Sequence, residues 1–447
     1  MFSIKIKIFP KVDFLFYFFG IMLLSANTTD AQVWSLEQCI DTAQVYNKNL
    51  KISRNDISIS QQKQQETKAN LIPRINLGAD YKYFVDLPYQ LMPQSAFGGT
   101  EGLFKETQFG VPHNINANLQ LSMPLYNPQI YGAIKTTKIA TELSDLQFKK
   151  TEEQVFFEIS SLYYNAQILQ HRLAFVDSNL INTTKLLENM QLLQSQLMVT
   201  GNDVSKVRLQ KEQLATQHEL ITSNLEQVLN ALKFSMGIPI GRNIHVEPDI
   251  RYQISKAYSK LPSVDFQLVE AKNRLLTSEL TSLKNSRLPS VSFMASYGQT
   301  GFGYDEKPND FLKFFPSSFA GIQISVPLFN GTVTKRKIYQ KNIEIQNSIL
   351  SMDLVAEQND MQIGNATRQR FVTQQTINNT SEQIRLAERV YQQTVLQQRE
   401  GTATLTDVLM ADNSLREAQQ NYISAIIDYL KADLELKKLT GNISFKN

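Results

Sequence analysis

The segment IQISVPLFN, residues 322–330, has a near copy in LQLSMPLYN, residues 119–127, so that Ser325 lies 203 positions after Ser122. In both segments apolar and polar residues alternate, which is typical of a β-strand with two different faces. Both then reach a proline, which cannot donate a hydrogen bond to a strand ladder and suits the first turn of a helix. The chain is therefore predicted to contain the same strand-to-helix junction twice, in an internal duplication.

The composition excludes several classes of protein. At 447 residues the length alone would suggest about three domains, whereas the duplication favours two equivalent halves. The net charge of +3 gives no indication of a nucleic-acid partner. The single cysteine, Cys39, excludes a disulfide framework and a cysteine metal cluster. The four histidines lie in different predicted elements and make no paired metal spacing, so we predict no metal site, no cofactor and no catalytic set.

The N-terminus is typical of a secretory signal. Three lysines precede the apolar run Phe14–Leu24, and small and polar residues follow as far as Ala31. The apolar run is shorter than the roughly 20 residues that a membrane-spanning helix needs, which favours cleavage over an uncleaved anchor. We therefore expect residues 1–31 to be a signal peptide.

Two structural repeats are predicted in the rest of the chain, each with two strands and a helical hairpin. The connection between them is rich in proline and glycine and is predicted to be irregular. The predicted boundaries are 32–236 for the first repeat (strands about 72–86 and 113–124, tip turn near 201), 237–262 for the connection, and 263–447 for the second repeat (strands about 289–298 and 319–327, tip turn near 401).

Very long helices are predicted after the second strand of each repeat. Residues 129–198 and 334–398 contain no proline, and at 1.5 Å per residue each would extend for roughly 100 Å. The opening helix is predicted to continue to about Lys68, and residues 86–113 are predicted to form a loop. The last helix carries a heptad pattern typical of coiled-coil packing. Its two seams are Val408, Leu415, Tyr422, Tyr429 and Leu436, and Ala411, Ala418, Ala425, Ala432 and Leu439.

The four strands each have one apolar face, which fits the wall of a transmembrane barrel. Open sheet edges are not tolerated in lipid, and four strands are too few for a barrel of their own. The chain is therefore predicted to supply part of a barrel, with two copies giving eight strands and three giving twelve. A small soluble sheet packed on helices is the alternative. The residues predicted to face lipid are Ile75, Leu77, Tyr81, Leu119, Leu121, Val291, Phe293, Ile322 and Ile324.

Several short motifs follow one another along the chain, and some occur twice. They are Trp34–Gln38, the strand starts Leu71–Pro73 and Leu288-Pro289, the junctions Met123–Tyr126 and Val326–Phe329, the tip Gly401–Leu409, and Leu439–Gly441. Together these motifs resemble the TolC-like outer-membrane efflux protein family. The resemblance covers essentially the whole chain after the predicted signal peptide.

The resemblance implies a fold that is mainly α with β, in which internally duplicated long helical hairpins form a trimeric α-barrel. Four transmembrane strands per protomer would share a twelve-stranded β-barrel, and residues 237–262 would form an equatorial belt. The protein would lie in the outer membrane of a Gram-negative bacterium and extend into the periplasm. It would act as a passive exit duct, with a periplasmic adaptor and an inner-membrane pump of the RND or ABC type as partners.

The resemblance also implies that the hairpin tips form the periplasmic entrance. The residues expected to contact the adaptor are Thr200, Gly201, Asn202, Glu400, Gly401 and Thr402. The family narrows this entrance with acidic rings, and Asp407 matches the first acidic position. Gln398 stands where the family has a tyrosine, and Ala403 where it has an arginine, so the family's closing latch does not carry over.

In the first half, the position equivalent to Asp407 is expected to be Val207, unless Asp203 serves through a shifted register. Asp407 can also be interpreted as a solvated charge near the positive end of a helix dipole. Both interpretations of Asp407 stay open.

A periplasmic coiled-coil adaptor or scaffold is the alternative function. An adaptor would usually have one helical hairpin beside a β-rich domain, whereas this sequence predicts two long hairpins and four amphipathic strands. A secreted enzyme is disfavoured because no convergent catalytic set is visible.

Overall fold

The computed structural model describes residues 32–250, 252, 257–303 and 313–443. The predicted signal peptide, residues 1–31, lies outside the described residues. Within the described ranges the chain forms seven α-helices and eight β-strands. The helices are α1 (Leu36–Tyr46), α2 (Lys48–Ala69), α3 (Pro128–Ser195), α4 (Gly201–Met236), α5 (Val264–Asn285), α6 (Val333–Arg399) and α7 (Leu405–Leu439). The strands are β1 (Gln32–Trp34), β2 (Arg74–Tyr83), β3 (Tyr89–Pro93), β4 (Phe104–Gln108), β5 (His113–Tyr126), β6 (Ile244–Val246), β7 (Ser290–Gly303) and β8 (Lys313–Ser325).

Two long helical hairpins, α3–α4 and α6–α7, dominate the structure. Helices α3 and α6 contain 68 and 67 residues, so each extends for about 100 Å. In α7 the alanines of the predicted heptad are buried, and Ile377 of α6 packs against Ala425 and Tyr429. The small alanine side chains allow the two helices to approach closely. None of the described helices contains a stretch that is long and apolar enough to cross a membrane.

A four-stranded antiparallel sheet in the order β2-β5-β7-β8 lies at the other end of the long helices from their tips. The register pairs Ile75 with Leu121, Leu121 with Ala295, and Phe293 with Ile322. Because side chains alternate between the two faces of a strand, this register puts all nine residues of the predicted apolar face on one side of the sheet.

The two strand-to-helix junctions differ, although their sequences are nearly the same. Strand β5 continues to Tyr126, which pairs with Val291, and α3 begins two residues later at Pro128. Strand β8 ends at Ser325, and α6 begins only at Val333. The prediction of one junction used twice is therefore wrong in detail.

The residues after the shared motif explain this difference. In the first junction, Asn127 accepts hydrogen bonds from the N–H groups of Gln129 and Ile130 at 3.1 and 3.3 Å, and Pro128 fixes the first helical residue. In the second junction glycine stands in place of this proline. Gly331 has a φ of +63° and Thr332 a φ of +68°, so the chain makes a left-handed turn before the helix begins.

The sequence predicted that the opening helix continues to about Lys68. In the structure it is instead interrupted at Asn47, between α1 and α2. The Asn47 Oδ1 accepts from the N–H of Leu50 at 3.0 Å and caps α2. Its Nδ2 donates to the carbonyl of Ser235 at 2.6 Å, in the last turn of α4. Gly237 packs so closely at this break that a Cβ there would lie 2.4 Å from the carbonyl oxygen of Tyr46. A contact from a distant part of the chain therefore sets the end of α1.

Two further predictions need correction. Residues 86–113 are not a plain loop, because β3 and β4 form an antiparallel hairpin within them. The connection 237–262 is not wholly irregular, because β6 pairs in parallel with β1. This pair is attached to α3 by Tyr163, whose hydroxyl donates to the carbonyl of Trp34 at 3.0 Å.

We expect Asn47→Ala to lower the free energy of unfolding by about 2 kcal/mol. The change removes a helix cap, which contributes about 1 kcal/mol, and leaves the buried carbonyl of Ser235 without its donor, at a similar cost. Denaturant titration of the purified protein measures the effect. Asn49→Ala is the matched control, since Asn49 is exposed on α2 and should change stability by less than about 0.5 kcal/mol. Equal effects of the two changes would contradict this account of the break.

Candidate functional site

The two hairpin tips are built by the same turn. In each, the long helix ends, one residue adopts a left-handed conformation, and a threonine three residues later caps the returning helix. The two turns are Leu197–Thr200 and Gly401–Thr404. Equivalent backbone hydrogen bonds of 2.9 Å close them, from Met198 to the carbonyl of Leu193 and from Thr402 to the carbonyl of Gln397.

Each returning helix begins with a threonine–aspartate capping box. The Thr200 hydroxyl donates to the Asp203 carboxylate at 2.6 Å, and the Thr404 hydroxyl donates to the Asp407 carboxylate at the same distance. The threonine hydroxyl in turn accepts from the aspartate N–H in both tips. Asp203 is therefore the structural equivalent of Asp407.

The expected equivalence of Val207 with Asp407 is wrong. Val207 is fully buried between α3 and α4, in a cluster with Leu187 and Met190. Its counterpart is Ala411, which is buried in the second hairpin. The register shift that the sequence left open, with Asp203 as the acidic residue, is the arrangement in the structure.

Both aspartates are solvent-accessible and held in the ionised form. The hydroxyl of Thr404 is the main cause that lowers the pKa of Asp407, and the N–H of Thr404 adds to it at 2.8 Å. The hydroxyl of Thr200 likewise lowers the pKa of Asp203, with Lys206 at 3.6 Å as a further cause. A carboxylate in the first turn of a helix is also favoured by the helix dipole. The carboxylates of Asp203 and Asp407 are therefore ionised at neutral pH.

The two tips lie side by side. Leu405, the first residue of α7, packs against the first hairpin's cluster, which includes Met190 and Val204. Both aspartates therefore lie at the same end of the molecule. Gln398 is exposed near this end, and its carbonyl accepts from the N–H of Gly401 at 3.1 Å.

The tip residues predicted from the sequence have different places in the two turns. Gly201 and Asn202 are the first residues of α4 rather than part of the turn, and Thr200 is the N-cap of α4. Glu400 ends α6, and Thr402 lies in the second turn, where its hydroxyl donates to the carbonyl of Gln397 at 3.0 Å. All of these residues are exposed.

Leu197 and Met198 were missed by the sequence reasoning. They are 94% and 68% exposed, and Leu197 has a φ of +59°. Aligning the two halves on their capping threonines, Thr200 and Thr404, would have found the position, since Leu197 then falls opposite Gly401.

The sheet at the other end has two chemically different faces. On the apolar face Ile75, Leu77, Ile322 and Ile324 are exposed, and none of the described helices covers them. On the other face polar side chains bond across the strands: Asn116 donates to Asp80 at 3.4 Å and accepts from Thr300 at 2.9 Å. Such a sheet can separate an apolar medium from an aqueous one.

The described part of the chain contains no cluster of metal-ligating residues, and its cysteine is inaccessible. No group of three or more His, Cys, Asp or Glu residues is placed there to hold a metal ion. Cys39 is completely buried, and burial raises the pKa of its thiol to about 12, so the thiol is unreactive.

Comparison with known proteins shows which proteins this chain resembles. The family model described as "Outer membrane efflux protein" matches residues 260–442. Outer membrane protein TolC of Salmonella enteritidis is 18% identical over 432 residues, which cover 94% of this chain and 84% of that protein. TolC of Vibrio cholerae is 20% identical and covers 93% of both chains. Along nearly its whole length the chain is similar to TolC-like outer-membrane efflux proteins.

Solved structures share the fold along nearly the whole chain. The outer membrane protein VceC of Vibrio cholerae superposes with a TM-score of 0.71 at 16% identity, over 91% of this chain and 96% of that one. The CmeC outer membrane channel of Campylobacter jejuni superposes with a TM-score of 0.72 at 14% identity, over 92% and 87%. The predicted TolC-like fold, mainly α with β, and the predicted outer-membrane location are confirmed.

We expect Gly401→Val to destabilise the second tip by about 1–2 kcal/mol. Gly401 has a φ of +75°, and a β-branched residue in this left-handed region is strained by that amount. Hydrogen exchange at the end of α6 and the start of α7 measures the loss as faster local opening. Gly201→Ala is the control, because Gly201 is helical and its new methyl would meet only the flexible side chain of Gln194. Slow exchange at the tip of the Gly401→Val protein would contradict the strain argument.

Proposed function

We propose that this TolC-like protein is the exit duct of a tripartite efflux or type I secretion system, and that it conducts cargo passively from the periplasm to the exterior. The observation that carries the proposal is the combination of a sheet with one exposed apolar face and helices that extend about 100 Å away from it. A sheet in the outer membrane with such helices below it would reach deep into the periplasm. No nucleic acid, cofactor or catalytic step has a place in this function.

The duct is a homotrimer. In the described protomer, β2 and β8 each pair on one side only, so the sheet has two open edges. Open edges are not tolerated in lipid, which means that other copies must pair with them. Three copies give twelve strands, enough to leave a lumen, whereas eight strands fill their interior with side chains. The polar faces with Asp80, Asn116 and Thr300 then line the lumen.

The hairpin tips form the periplasmic entrance and bind the adaptor, which connects the duct to an inner-membrane pump of the RND or ABC type. In a trimer, Asp203 and Asp407 bring six carboxylates to this end. Carboxylates that converge around a pore attract cations and repel anions. The capping role of both residues explains how their charge and position are maintained, so the capping and ring interpretations of Asp407 are compatible.

The alternative function, a periplasmic adaptor or scaffold, predicts no exposed apolar sheet at the end of the helices. Extraction separates the two functions. The duct should stay in the outer-membrane fraction and, after extraction with mild detergent, have the native mass of three chains. A protein that washes off the membrane, or that stays monomeric across mild detergents, would return the scaffold to first place.

Cysteine labelling tests which face of the sheet meets lipid. We expect Leu77→Cys and Ile322→Cys to react with a lipid-soluble maleimide in membranes, because their side chains are exposed on the apolar face. Asn76→Cys and Gln323→Cys, on the opposite face, are the matched controls and should react with a water-soluble reagent. Native Cys39 is buried and gives no background. The reverse pattern of labelling would mean that the apolar face is turned inward.

Conductance in lipid bilayers tests the charge at the entrance. We expect Asp407→Asn combined with Asp203→Asn to shift the reversal potential toward lower cation preference. Because the pKa of each aspartate is lowered, the wild-type preference should persist as the pH falls to about 4, the ordinary range of aspartate, and disappear only below it. Thr404→Val with Thr200→Val removes the main cause of the lowered pKa, so the loss should begin at higher pH. An unchanged reversal potential in the double Asn variant would leave the two aspartates with a capping role alone.

A further inference from the structure

We propose that Leu197 is the anchor by which the first hairpin tip binds the adaptor, through insertion of its side chain into an apolar pocket at the end of the adaptor's helical hairpin. The inference rests on the proposed function, in which the tips bind an adaptor. It assigns unequal roles to the two tips, one with an apolar anchor and one with a small, polar surface.

The backbone conformation of Leu197 indicates that this residue is not needed for folding. Leucine rarely adopts a φ of +59°, since its Cβ crowds the following carbonyl group. The second tip makes the same turn with Gly401, which adopts this conformation without strain. The turn therefore needs no side chain at this position, and glycine would suit the fold better than leucine.

Packing does not explain the leucine either. Its side chain is 94% exposed, the highest value among the large apolar residues described as exposed. The apolar cluster beneath the tip uses the neighbours Leu193 and Val199 instead, which pack on Leu187, Met190 and Val204. A strained residue that contributes nothing to the core is typical of a binding site, where strain is tolerated for the sake of contacts.

The surroundings of Leu197 favour an apolar pocket in a protein partner. Met198 is also exposed, and methionine adapts its shape to irregular apolar surfaces. The equivalent pair in the second tip, Gly401 and Thr402, offers no apolar side chain. In the proposed duct, the first tip thus presents two adjacent apolar side chains at the periplasmic end. A lipid surface is not the partner in that arrangement, because the opposite end, with the apolar sheet, is the membrane end.

Substitutions at Leu197 separate a binding role from a structural one, because the two roles predict opposite results. Leu197→Gly and Leu197→Asn both relieve the strain, since glycine and asparagine accept the left-handed conformation, and both remove the apolar side chain. If Leu197 is the anchor, a strain that carries either variant should lose at least about tenfold of its tolerance to the compound exported. A binding residue whose removal weakens the affinity for the adaptor tenfold contributes about 1.4 kcal/mol of binding free energy. If Leu197 has a structural role only, export should equal or exceed the wild type.

The test compound is chosen first, from a panel of dyes, bile salts and divalent metal ions, as the one to which a strain without the gene is most sensitive. The readout is the highest concentration of this compound that each strain tolerates. In the same cells, a photoreactive residue in place of Met198 should crosslink to the adaptor, and Leu197→Gly should weaken that crosslink in parallel. The amount of trimer in the outer membrane should stay unchanged. Leu220→Asn is the matched control: Leu220 is also exposed, on α4, but about 30 Å from the tip, and this variant should export normally.

A further variant distinguishes failure of this inference from failure of the proposed function. Both turns, 197–200 and 401–404, are replaced by glycine-serine loops of equal length. If this variant and Leu197→Gly both export normally, the tips do not bind an adaptor and the proposed function fails at that point. If the loop variant loses export while Leu197→Gly keeps it, the tips function as proposed and Leu197 is not the anchor. Loss of export in both, with Leu220→Asn normal, supports the anchor.

Discussion

Strands β2 and β8 form the two edges of the four-stranded sheet, and each leaves one row of backbone N–H and C=O groups without a partner in the described chain. In water this would be tolerable, but in lipid every unpaired group costs several kcal/mol. In the proposed duct the apolar face points to lipid, so these edges must pair with other copies. The closed ring would then fix where each protomer's long helices begin, and barrel closure would determine the arrangement of the helices into a tube.

Because of the internal duplication, the same turns and helix starts occur twice, and single residues distinguish the two copies. Both tips use a left-handed residue, a threonine cap and an aspartate, and both long helices begin after the motif Pro-Leu-aromatic-Asn. The copies differ at single positions after the junction motif and in the tip turn. Gly331 stands in place of Pro128 beside the edge strand β8, and Leu197 stands in place of Gly401 at the tip. Because the two tips share one backbone conformation, comparing their residues position by position shows which side chains the turn itself does not require.

The sequence predicts the parts of this fold that depend on local pattern. Alternation identified the four strands and their apolar face, and the absence of proline identified α3 and α6, because these signals lie within each element. The break at Asn47 was missed since its cause, Ser235, lies 188 residues away. The β1–β6 pair was missed for the same reason. Leu197 was missed because leucine gives no signal for a left-handed turn, and the backbone conformation becomes visible only in the structure.

Chemistry in this protein is concentrated at its two ends, and this distribution follows from passive conduction. A tube that conducts without catalysis needs a wall of uniform packing along its length, which the alanine seam of α7 supplies. Selection and attachment must then occur where the tube begins and ends. In the proposed duct the apolar sheet face lies in the membrane at one end. At the other end the capping boxes hold two carboxylates that stabilise their helices and would also set the charge of the entrance. Because each aspartate already caps its helix, an acidic entrance would need no separate structural support, and the exposed turn residues would be free to specialise for binding.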